Sequence, residues 1–382
     1  SHAHVATNIT SSGLGTVVTT SPATTRNITG GTRPSGGANL FHSFGSFNVS
    51  STDTANFCNA TSCGAPVALT GIQNILGRVT GGQVSNIFGK IQTTGFGTAN
   101  LYLINPAGWI FGPTASLNVG GALRVATADS VLLTGGIRFN AIPSSADALL
   151  SSAPIAAFGF LSSNPAGISV QQGGKLVVGT SQTLSLVGGQ IQIAGTGSVA
   201  PTTTLGAPGG RVEIASVASP GDVSLRDALG NPELRTNSFS SLGQISLSNA
   251  AQINVNGTTT VGGGSVVIRG GQLIASGAST KILANTSSPA NGAATAADIQ
   301  LSGSAVFNGA GAGIGVQSSN TGAAGDIKIT ANSLEVSGAA SINSITSKGG
   351  AGGNVSVNVG TLTVNTGGGI SSSSSRGGFP IT

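Results

Sequence analysis

The strongest constraint on the fold of this chain is a repeat of 28 residues in its C-terminal third. Segments that begin at Asp298, Asp326 and Asn354 align with one another. Four aliphatic columns share this period: Ile299, Ile327 and Val355; Leu301, Ile329 and Val357; Val306, Leu334 and Leu362; Ile314, Ile342 and Ile370. Aliphatic and polar residues alternate within each repeat, which is typical of half-buried strands. Each repeat is therefore predicted to hold three short strands.

A unit of three short strands cannot bury its own apolar face, so neighbouring units have to stack. The repeat predicts a right-handed parallel β-helix, with one coil per unit and a spacing of about 4.8 Å between stacked strands. We expect Ile299, Ile327 and Val355 in one interior column. The same pattern extends backward with less regular spacing, as in 243–257. Residues 370–382 stop within a further unit, and we expect the native polypeptide to continue in the same style.

The composition agrees with this architecture. Only 7% of the 382 residues are charged and 62 are glycine, because aliphatic residues fill coil interiors and small polar residues fill tight corners. No apolar run approaches the roughly 20 residues of a membrane-spanning helix. The net charge of +5 comes from singly scattered side chains, so nucleic acid is not an expected partner.

The chain has two cysteines, Cys58 and Cys63, in the segment FCNATSCG. Asn59 and Gly64 supply turn residues, so a short loop closed by a disulfide is expected in an oxidising compartment. A metal pair and a redox motif are the alternatives. The sequence gives a metal pair little support, since no histidine or second cysteine pair lies nearby, and the spacing differs from Cys-x-x-Cys.

The tetrapeptide Asn-Pro-Ala-Gly occurs at 105–108 and again at 164–167. A type I turn favours Asn at its first position, Pro at its second and Gly at its fourth. Both copies are therefore predicted to be turns between strands. In the first copy, we expect the side chain of Asn105 to accept backbone N–H bonds and Pro106 to preset the second position.

Five segments of the N-terminal half carry a resemblance to a known family. They are ITGGTRPSGGANLFHSFGSFNV (28–49), IQNILGRVTGGQVSNIFGKI (72–91), GTANLYLINPAGWIFGPTASLNVGGALRVATAD (97–129), SLVGGQIQIAG (185–195) and APGGRVEIASVASPGDVSL (207–225). In this order they resemble the secretion domain of two-partner secretion exoproteins, the filamentous haemagglutinin family of Gram-negative bacteria. The branch common in cyanobacteria and environmental proteobacteria is the most similar.

The resemblance implies roles for particular residues. The family carries an Asn-Pro-Asn-Gly-Ile turn that is important for secretion. Asn105, Pro106 and Gly108 match it, whereas Ala107 and Trp109 depart from it; these five residues are predicted to form the motif for secretion and transporter recognition. An N-terminal folding and capping motif is predicted at Asn39, Leu40, Phe41, His42 and Phe44.

The resemblance also implies a domain organisation. Residues 1–240 are predicted to be the secretion domain, made of a cap, the first coils and short extra-helical strands or hairpins. Residues 241–382 are predicted to continue as β-helix repeats of about 28 residues, truncated at the C-terminus.

The same resemblance implies a route and partners. The exoprotein crosses the inner membrane by a signal peptide and stays unfolded in the periplasm. There the POTRA domains of a dedicated outer-membrane transporter recognise it. It then folds outside, as an extracellular or cell-surface protein that is expected to be a monomer. The full-length protein is expected to be an adhesin or haemagglutinin-like protein, with surface glycans or receptors of host or neighbouring cells as candidate partners.

A β-helical polysaccharide-active enzyme or a glycan-binding module is the alternative function. Such enzymes need grouped carboxylates. Asp298 and Asp326 are predicted to share a column, but Asn354 follows them, which fits turn capping better than catalysis. Asp222 and Asp227 are the other close pair. No nucleophile motif or phosphate-binding loop occurs, so we expect no enzyme activity, no cofactor and no metal.

Overall fold

The computed structural model describes residues 4–197 and 203–374, and these are almost entirely strands and turns. Helical structure in this part is limited to three short 3-10 helices, Pro34–Gly36, Thr61–Cys63 and Ser145–Leu149. No helix among the described residues is long and apolar enough to cross a membrane.

The strands are short and follow one another closely. The first eighteen are β1 (Asn8–Ser11), β2 (Thr16–Thr20), β3 (Thr25–Gly30), β4 (Asn39–Asn48), β5 (Thr54–Cys58), β6 (Asn74–Val79), β7 (Ser85–Ile87), β8 (Lys90–Thr94), β9 (Asn100–Ile104), β10 (Trp109–Phe111), β11 (Ser116–Asn118), β12 (Leu123–Ala126), β13 (Ser130–Leu133), β14 (Arg138–Asn140), β15 (Ile155–Phe160), β16 (Ile168–Val170), β17 (Lys175–Val177) and β18 (Thr183–Gly188). The others are β19 (Ile191–Ala194), β20 (Thr204–Gly206), β21 (Arg211–Ser216), β22 (Gly221–Arg226), β23 (Pro232–Arg235), β24 (Gln244–Ser248), β25 (Gln252–Asn254), β26 (Ser265–Gly270), β27 (Gln272–Ser276), β28 (Lys281–Leu283), β29 (Thr295–Leu301), β30 (Ser304–Asn308), β31 (Gly313–Ser318), β32 (Asp326–Ser337), β33 (Ser341–Thr346), β34 (Val355–Val364) and β35 (Gly369–Ser374).

The chain forms two compact units. The N-terminal unit comprises the residues up to Gly179 together with Ser185–Ile191 and Ala215–Leu242. The C-terminal unit comprises Thr180–Leu184, Gln192–Ile214 and the residues from Gly243 onward. The functional boundary expected near residue 240 stays a prediction.

Three parallel ladders build the coils of the N-terminal unit. Strands β4, β6, β9 and β12 pair in parallel, as do β7, β10 and β16, and β3, β5, β8 and β11. One interior column runs through the first ladder as Leu40, Ile75, Leu101 and Leu123, all of them buried. Stacked parallel ladders that bury aliphatic columns define the predicted parallel β-helix.

Two antiparallel features of the N-terminal unit also match the expected architecture. At its start, β2 pairs with β3 and β1 pairs with β4 in antiparallel fashion, so the first strands cap the coils with a different pairing. Outside the coils, β13, β14, β15, β22 and β23 form a separate five-stranded antiparallel sheet. This extra-helical sheet is inserted between strands of successive coils.

The C-terminal unit stacks plainer coils. Its most regular column is Ile253, Ile282, Ile314, Ile342 and Ile370, each paired with the next across parallel strands. The last three members were expected to stack at a period of 28 residues, and this expectation is confirmed. Aliphatic side chains alone fill this column because the coil corners carry the polar residues.

The other three predicted columns are wrong in register between the first two of these coils. Ile299 lies opposite Ile329, not Ile327, and Leu301 therefore does not stack on Ile329 as expected. Between the last two coils the expected partners do lie opposite each other. Ile327 lies between Ala297 in the preceding coil and Val355 in the next. Ile299 and Ile327 are fully buried, so both are interior, but they belong to adjacent columns of the same face. Val355 is half-buried.

The same error displaces Val306, which lies opposite Glu335, whereas Ala305 lies opposite Leu334. The physical reason is that the earlier coil has longer corners. The offset between paired residues falls from 30 on the first face (Gln300 with Thr330) to 29 on the second and to 28 on the third. Each of its two corners therefore holds one additional residue. Between the last two coils the offset is 28 on all three faces.

Candidate functional site

The Asn-Pro-Ala-Gly segment at 105–108 joins β9 to β10 in the N-terminal unit. The Gly108 N–H donates to the backbone carbonyl of Asn105 at 3.1 Å, as in a type I turn. Gly108 then takes φ +117°, a backbone conformation that glycine adopts without a steric penalty. The chain can therefore turn sharply and enter β10 at once.

The side chain of Asn105 is fully buried and makes three hydrogen bonds. Its Oδ1 accepts the Ala107 N–H at 2.9 Å, as expected for a side chain that holds its own turn. Its Nδ2 donates to the Gln83 carbonyl and to Ser85 Oγ, both at 2.9 Å. Sequence reasoning did not predict these last two bonds, which tie the turn to the segment entering β7 in the preceding coil.

Trp109, the last residue of the predicted motif, is a core side chain. It is 1% exposed, and its Nε1–H donates to the Ala126 carbonyl at 2.9 Å. Its ring stacks on Phe111 at 6.2 Å between centroids and meets the edge of Phe47 at 6.2 Å. In the folded unit Trp109 therefore fixes the end of the turn at which β10 begins.

The second Asn-Pro-Ala-Gly lies next to the first. Strand β16 pairs with β10 so that Ile168 lies opposite Trp109, which places 164–167 in the position equivalent to 105–108 one coil later. The side chain of Asn164 is exposed, however, and among the described residues the structure has no hydrogen bond from Gly167 to the Asn164 carbonyl. The two copies thus share a position but not a geometry. Strands β13 to β15 lie between them and account for their separation in sequence.

The predicted capping motif lies on β4. Leu40, Phe41 and Phe44 are buried in the core. Asn39 is also fully buried, and its Nδ2 donates to the carbonyls of Ser151 and Ala153 at 3.1 and 2.8 Å.

Asn39 begins a ladder of stacked amides along the coils. Its Oδ1 accepts from Asn74 Nδ2 at 3.0 Å, and Asn74 Oδ1 accepts from Asn100 Nδ2 at 3.2 Å. The ladder thus connects β4, β6 and β9, and its first member also holds the segment before β15.

His42, in the same motif, is 1% exposed. Its Nδ1 lies 3.0 Å from the Thr16 hydroxyl, and its ring packs near Phe44 and Phe57. Burial lowers the pKa of His42 from 6.5 to about 3, since an apolar environment disfavours the imidazolium ion. His42 is therefore a neutral core residue at neutral pH, which fits a packing role better than a chemical one.

Arg78 is a residue that sequence reasoning missed. Its side chain is 1% exposed, although arginine is seldom buried without a partner. It makes a bidentate ion pair with Asp147 at 2.8 and 2.7 Å, and its Nε donates to Ser43 Oγ at 2.8 Å. The guanidinium also lies 5.1 Å from the centroid of Phe139. Arg78 thus fastens the extra-helical region to β4 and β6, and only its position in an otherwise apolar strand, ILGRV, could have signalled this.

Cys58 and Cys63 are joined by a disulfide in the structure. Cys58 ends β5, and Cys63 ends the 3-10 helix that follows. The loop between them lies at the periphery of the N-terminal unit, and the disulfide in the secreted protein remains a prediction for chemical mapping.

The aspartates considered for catalysis have structural partners. Asp298 lies opposite Lys328 rather than Asp326, so the expectation that the two aspartates share a column is wrong. Asp298 accepts from Arg269 at 2.9 Å, and Asp326 accepts the Asn354 N–H at 2.8 Å.

The remaining close pair, Asp222 and Asp227, is also engaged. Asp222 pairs with Arg138 at 2.9 Å, and Asp227 Oδ1 accepts backbone N–H groups of its own turn at 2.9 Å. Hydrogen bonds, chiefly from the Asn231 side chain, hold the pKa of Asp227 below its usual value. Within the described part of the chain, no group of three or more His, Cys, Asp or Glu residues is placed to hold a metal ion.

The fold and the turn define a class, a capped parallel β-helix with an extra-helical sheet. The family described as the TPS (two-partner secretion) secretion domain matches residues 4–268, more than half of the chain. The chain belongs to this family. It is therefore a secretion domain of the two-partner type, whose members are secreted to the cell surface or the extracellular space and have a cognate transporter as partner.

Two solved structures are similar to this chain. The HMW1 secretion domain from Haemophilus influenzae shares 14% identity, with a TM-score of 0.43 over 95% of this chain and 100% of that one. The filamentous hemagglutinin secretion domain shares 15% identity, with a TM-score of 0.42 over 95% of this chain and 99% of that one. A comparison with curated protein sequences finds no match.

Proposed function

We propose that residues 105–109 are a secretion motif which the POTRA domains of the cognate outer-membrane transporter bind before the domain folds. The observation that carries this proposal is the complete burial of Asn105, with all of its side-chain bonds directed into the protein. Trp109 and Gly108 are buried as well, and only Pro106 and Ala107 are half-exposed. A partner that reads these side chains has to meet them in an unfolded chain.

Folding then withdraws the motif from the transporter. When Asn105 bonds to Gln83 and Ser85, the turn seats on the preceding coil, and the side chains that the transporter held become interior. Later coils add to this template one at a time, as expected for a solenoid whose units contact only their neighbours. Release and folding are thereby coupled, which favours outward movement without nucleotide hydrolysis.

The proposal gives this domain no catalytic role. The two other aspartates of the chain, Asp53 and Asp129, also accept structural hydrogen bonds, from Thr7 and from the Leu161 N–H. Every aspartate is thus a partner in an ion pair, a cap or a structural hydrogen bond. The full-length protein is proposed to act as an adhesin or haemagglutinin-like protein, with its effector function outside this domain.

Paired alanine substitutions in the two Asn-Pro-Ala-Gly copies test the motif. Asn105→Ala leaves the Ala107 N–H and the Gln83 carbonyl without their partner, at a cost of about 1–3 kcal/mol. We expect it to reduce export through the cognate transporter at least about tenfold, a loss equivalent to about 1.4 kcal/mol, while the purified domain still folds. Asn164→Ala, in the exposed copy, should leave export close to wild type. Equal export of the two variants would reduce position 105 to an ordinary turn.

A peptide experiment separates recognition from folding. A synthetic peptide of residues 97–129 cannot form the coils, so its binding to the isolated POTRA domains reports on unfolded-chain recognition alone. We expect the wild-type peptide to bind and the Asn105→Ala peptide to bind more weakly. If both peptides bind alike while export still differs, the motif acts in folding and the proposed recognition is wrong.

A further inference from the structure

A polar cleft of about 360 Å³ lies within the N-terminal unit, away from the Asn105 turn. Two members of the amide ladder, Asn74 and Asn100, line the cleft together with Gln73, Tyr102 and Arg124. The segment before β15 and the β22–β23 hairpin also contribute to the lining. Its volume falls in the usual range of ligand pockets, roughly 300–1,000 Å³.

Arg226 gives this cleft its chemical character. It lines the cleft from the end of β22. Other arginines of the same unit form bidentate carboxylate pairs, Arg78 with Asp147 and Arg138 with Asp222. In the described ranges, 4–197 and 203–374, the Arg226 guanidinium has neither an ion-pair partner nor a hydrogen-bond acceptor. A guanidinium is always charged and presents a planar fork of donors, so this group can still receive an acceptor.

The hairpin turn leaves space for the Arg226 head group. Gly230 has φ +87°, and a Cβ on this residue would collide with Nη2 of Arg226. Asp227 holds the turn by accepting the N–H groups of Leu229 and Asn231 at 2.9 Å. The fork of Arg226 therefore lies directly beside a small, capped turn.

The remaining lining offers hydrogen bonds but no negative charge. Asn100 and Asn74 bond to each other through one amide hydrogen of Asn100, and each amide NH2 carries a second hydrogen. No aspartate, glutamate or histidine is among the described residues that line the cleft. Its ligand should thus be an anion that also carries several hydroxyl groups, because amides both donate to and accept from hydroxyls. Without a carboxylate pair, the cleft can bind a glycoside but not hydrolyse it.

We propose that this cleft binds the carboxylate of a uronic acid within an acidic saccharide. The guanidinium of Arg226 pairs with the sugar carboxylate in the bidentate manner that fits this planar group. The amides of Asn74 and Asn100 bind the neighbouring ring hydroxyls. This site binds the folded domain to its ligand and is separate from the motif that directs export.

Calorimetric titration of the folded domain with trigalacturonate tests the proposal. We expect binding of trigalacturonate, and binding of neutral galactotriose at least about tenfold weaker. Arg226→Gln should weaken trigalacturonate binding at least about tenfold. Arg235→Gln is the matched control, because Arg235 lies on the same hairpin, pairs with Glu233 and is absent from the cleft lining.

A second variant distinguishes loss of ligand binding from loss of folding. Ser152 is exposed on the rim of the cleft, so Ser152→Glu adds a carboxylate that competes for Arg226 while the melting temperature stays unchanged. Loss of trigalacturonate binding in this variant supports the site. Absence of wild-type binding at millimolar trigalacturonate, equal binding in Arg226→Gln, or equal binding of galactotriose or triglutamate would each overturn the proposal.

Discussion

The two units use the same coil but fill it differently. The N-terminal unit holds Trp109, Tyr102 and all described phenylalanines except Phe307, together with the buried Arg78–Asp147 ion pair. The C-terminal unit fills its most regular column with five isoleucines at equivalent positions. The N-terminal unit thus depends on side-chain contacts that each occur once, whereas the C-terminal unit repeats the same isoleucine contact from coil to coil.

This difference indicates a division of labour. Contacts that occur once specify a single register, because no other pairing satisfies a buried arginine or seats an indole N–H. Repeated aliphatic contacts extend a register that already exists, and they tolerate coils of slightly different length. The N-terminal unit therefore has the features of a template, and the C-terminal unit has those of a continuation.

The largest test of this comparison is Arg78→Met. Removing one partner of a buried ion pair costs about 3–5 kcal/mol, and we expect the lower end because the Asp147 side chain is still 21% exposed and can be hydrated. Trp109 is the only tryptophan of the chain, so its fluorescence during urea unfolding reports on the N-terminal unit alone.

Lys175→Met is the control in the same unit. Lys175 is exposed in the N-terminal unit, and exposed substitutions usually change the free energy of unfolding by no more than about 0.5 kcal/mol. If Arg78→Met has as small an effect as this control, the buried ion pair does not specify the N-terminal unit and the comparison fails.

The sequence was sufficient for the fold because the fold depends on period. Strands that alternate in polarity and recur at a fixed spacing have few ways to bury their apolar faces. Register across corners was not predictable in the same way. Ile314, Ile342 and Ile370 stack as expected, whereas Ile299 is displaced by two residues, since small polar residues can be added at a corner without changing the strand pattern.

The candidate site was predictable only in part. The turn chemistry of Asn-Pro-Ala-Gly predicted that the Asn105 side chain accepts a backbone N–H, and the structure shows that Ala107 donates it. This bond depends on neighbours in sequence. The bonds from Asn105 to Gln83 and Ser85, and the pairing of Arg78 with Asp147, join residues 20 or more positions apart. Such contacts depend on how coils and insertions stack, which the periodicity of one strand does not encode.

Acid should destabilise the N-terminal unit in particular. The pKa of His42 falls from 6.5 to about 3 on folding, so below pH 6.5 the unfolded chain binds a proton that the folded unit excludes. The contribution of His42 to the free energy of unfolding is therefore fully present above about pH 6.5 and is lost as the pH falls towards 3. At pH 5 the loss should be about 2 kcal/mol, from about 1.4 kcal/mol per pH unit.

The control for this pH effect is His42→Gln, which keeps a polar group near Thr16 but does not titrate. Its unfolding free energy, followed by Trp109 fluorescence, should vary little between pH 7 and pH 5. This window lies above the ordinary titration of the carboxylates, including Asp53, whose pKa is lowered mainly by its hydrogen bond from Thr7. If the free energy of unfolding depends on pH equally in the wild type and the variant, His42 is not the source of the acid sensitivity.

The smallest effect is expected from the disulfide. The loop between Cys58 and Cys63 is short, and closing a short loop restricts few conformations of the unfolded chain, so its loss should cost about 1–2 kcal/mol. Mass mapping without reductant should find the two residues linked, and two thiols that alkylate freely in oxidised protein would contradict this. The double variant Cys58→Ala/Cys63→Ala should slightly lower the urea concentration at the midpoint of the unfolding transition that Trp109 fluorescence follows. The circular dichroism of the C-terminal coils should stay unchanged. A larger loss would mean that this peripheral loop, rather than the buried ion pair, is what holds the template together.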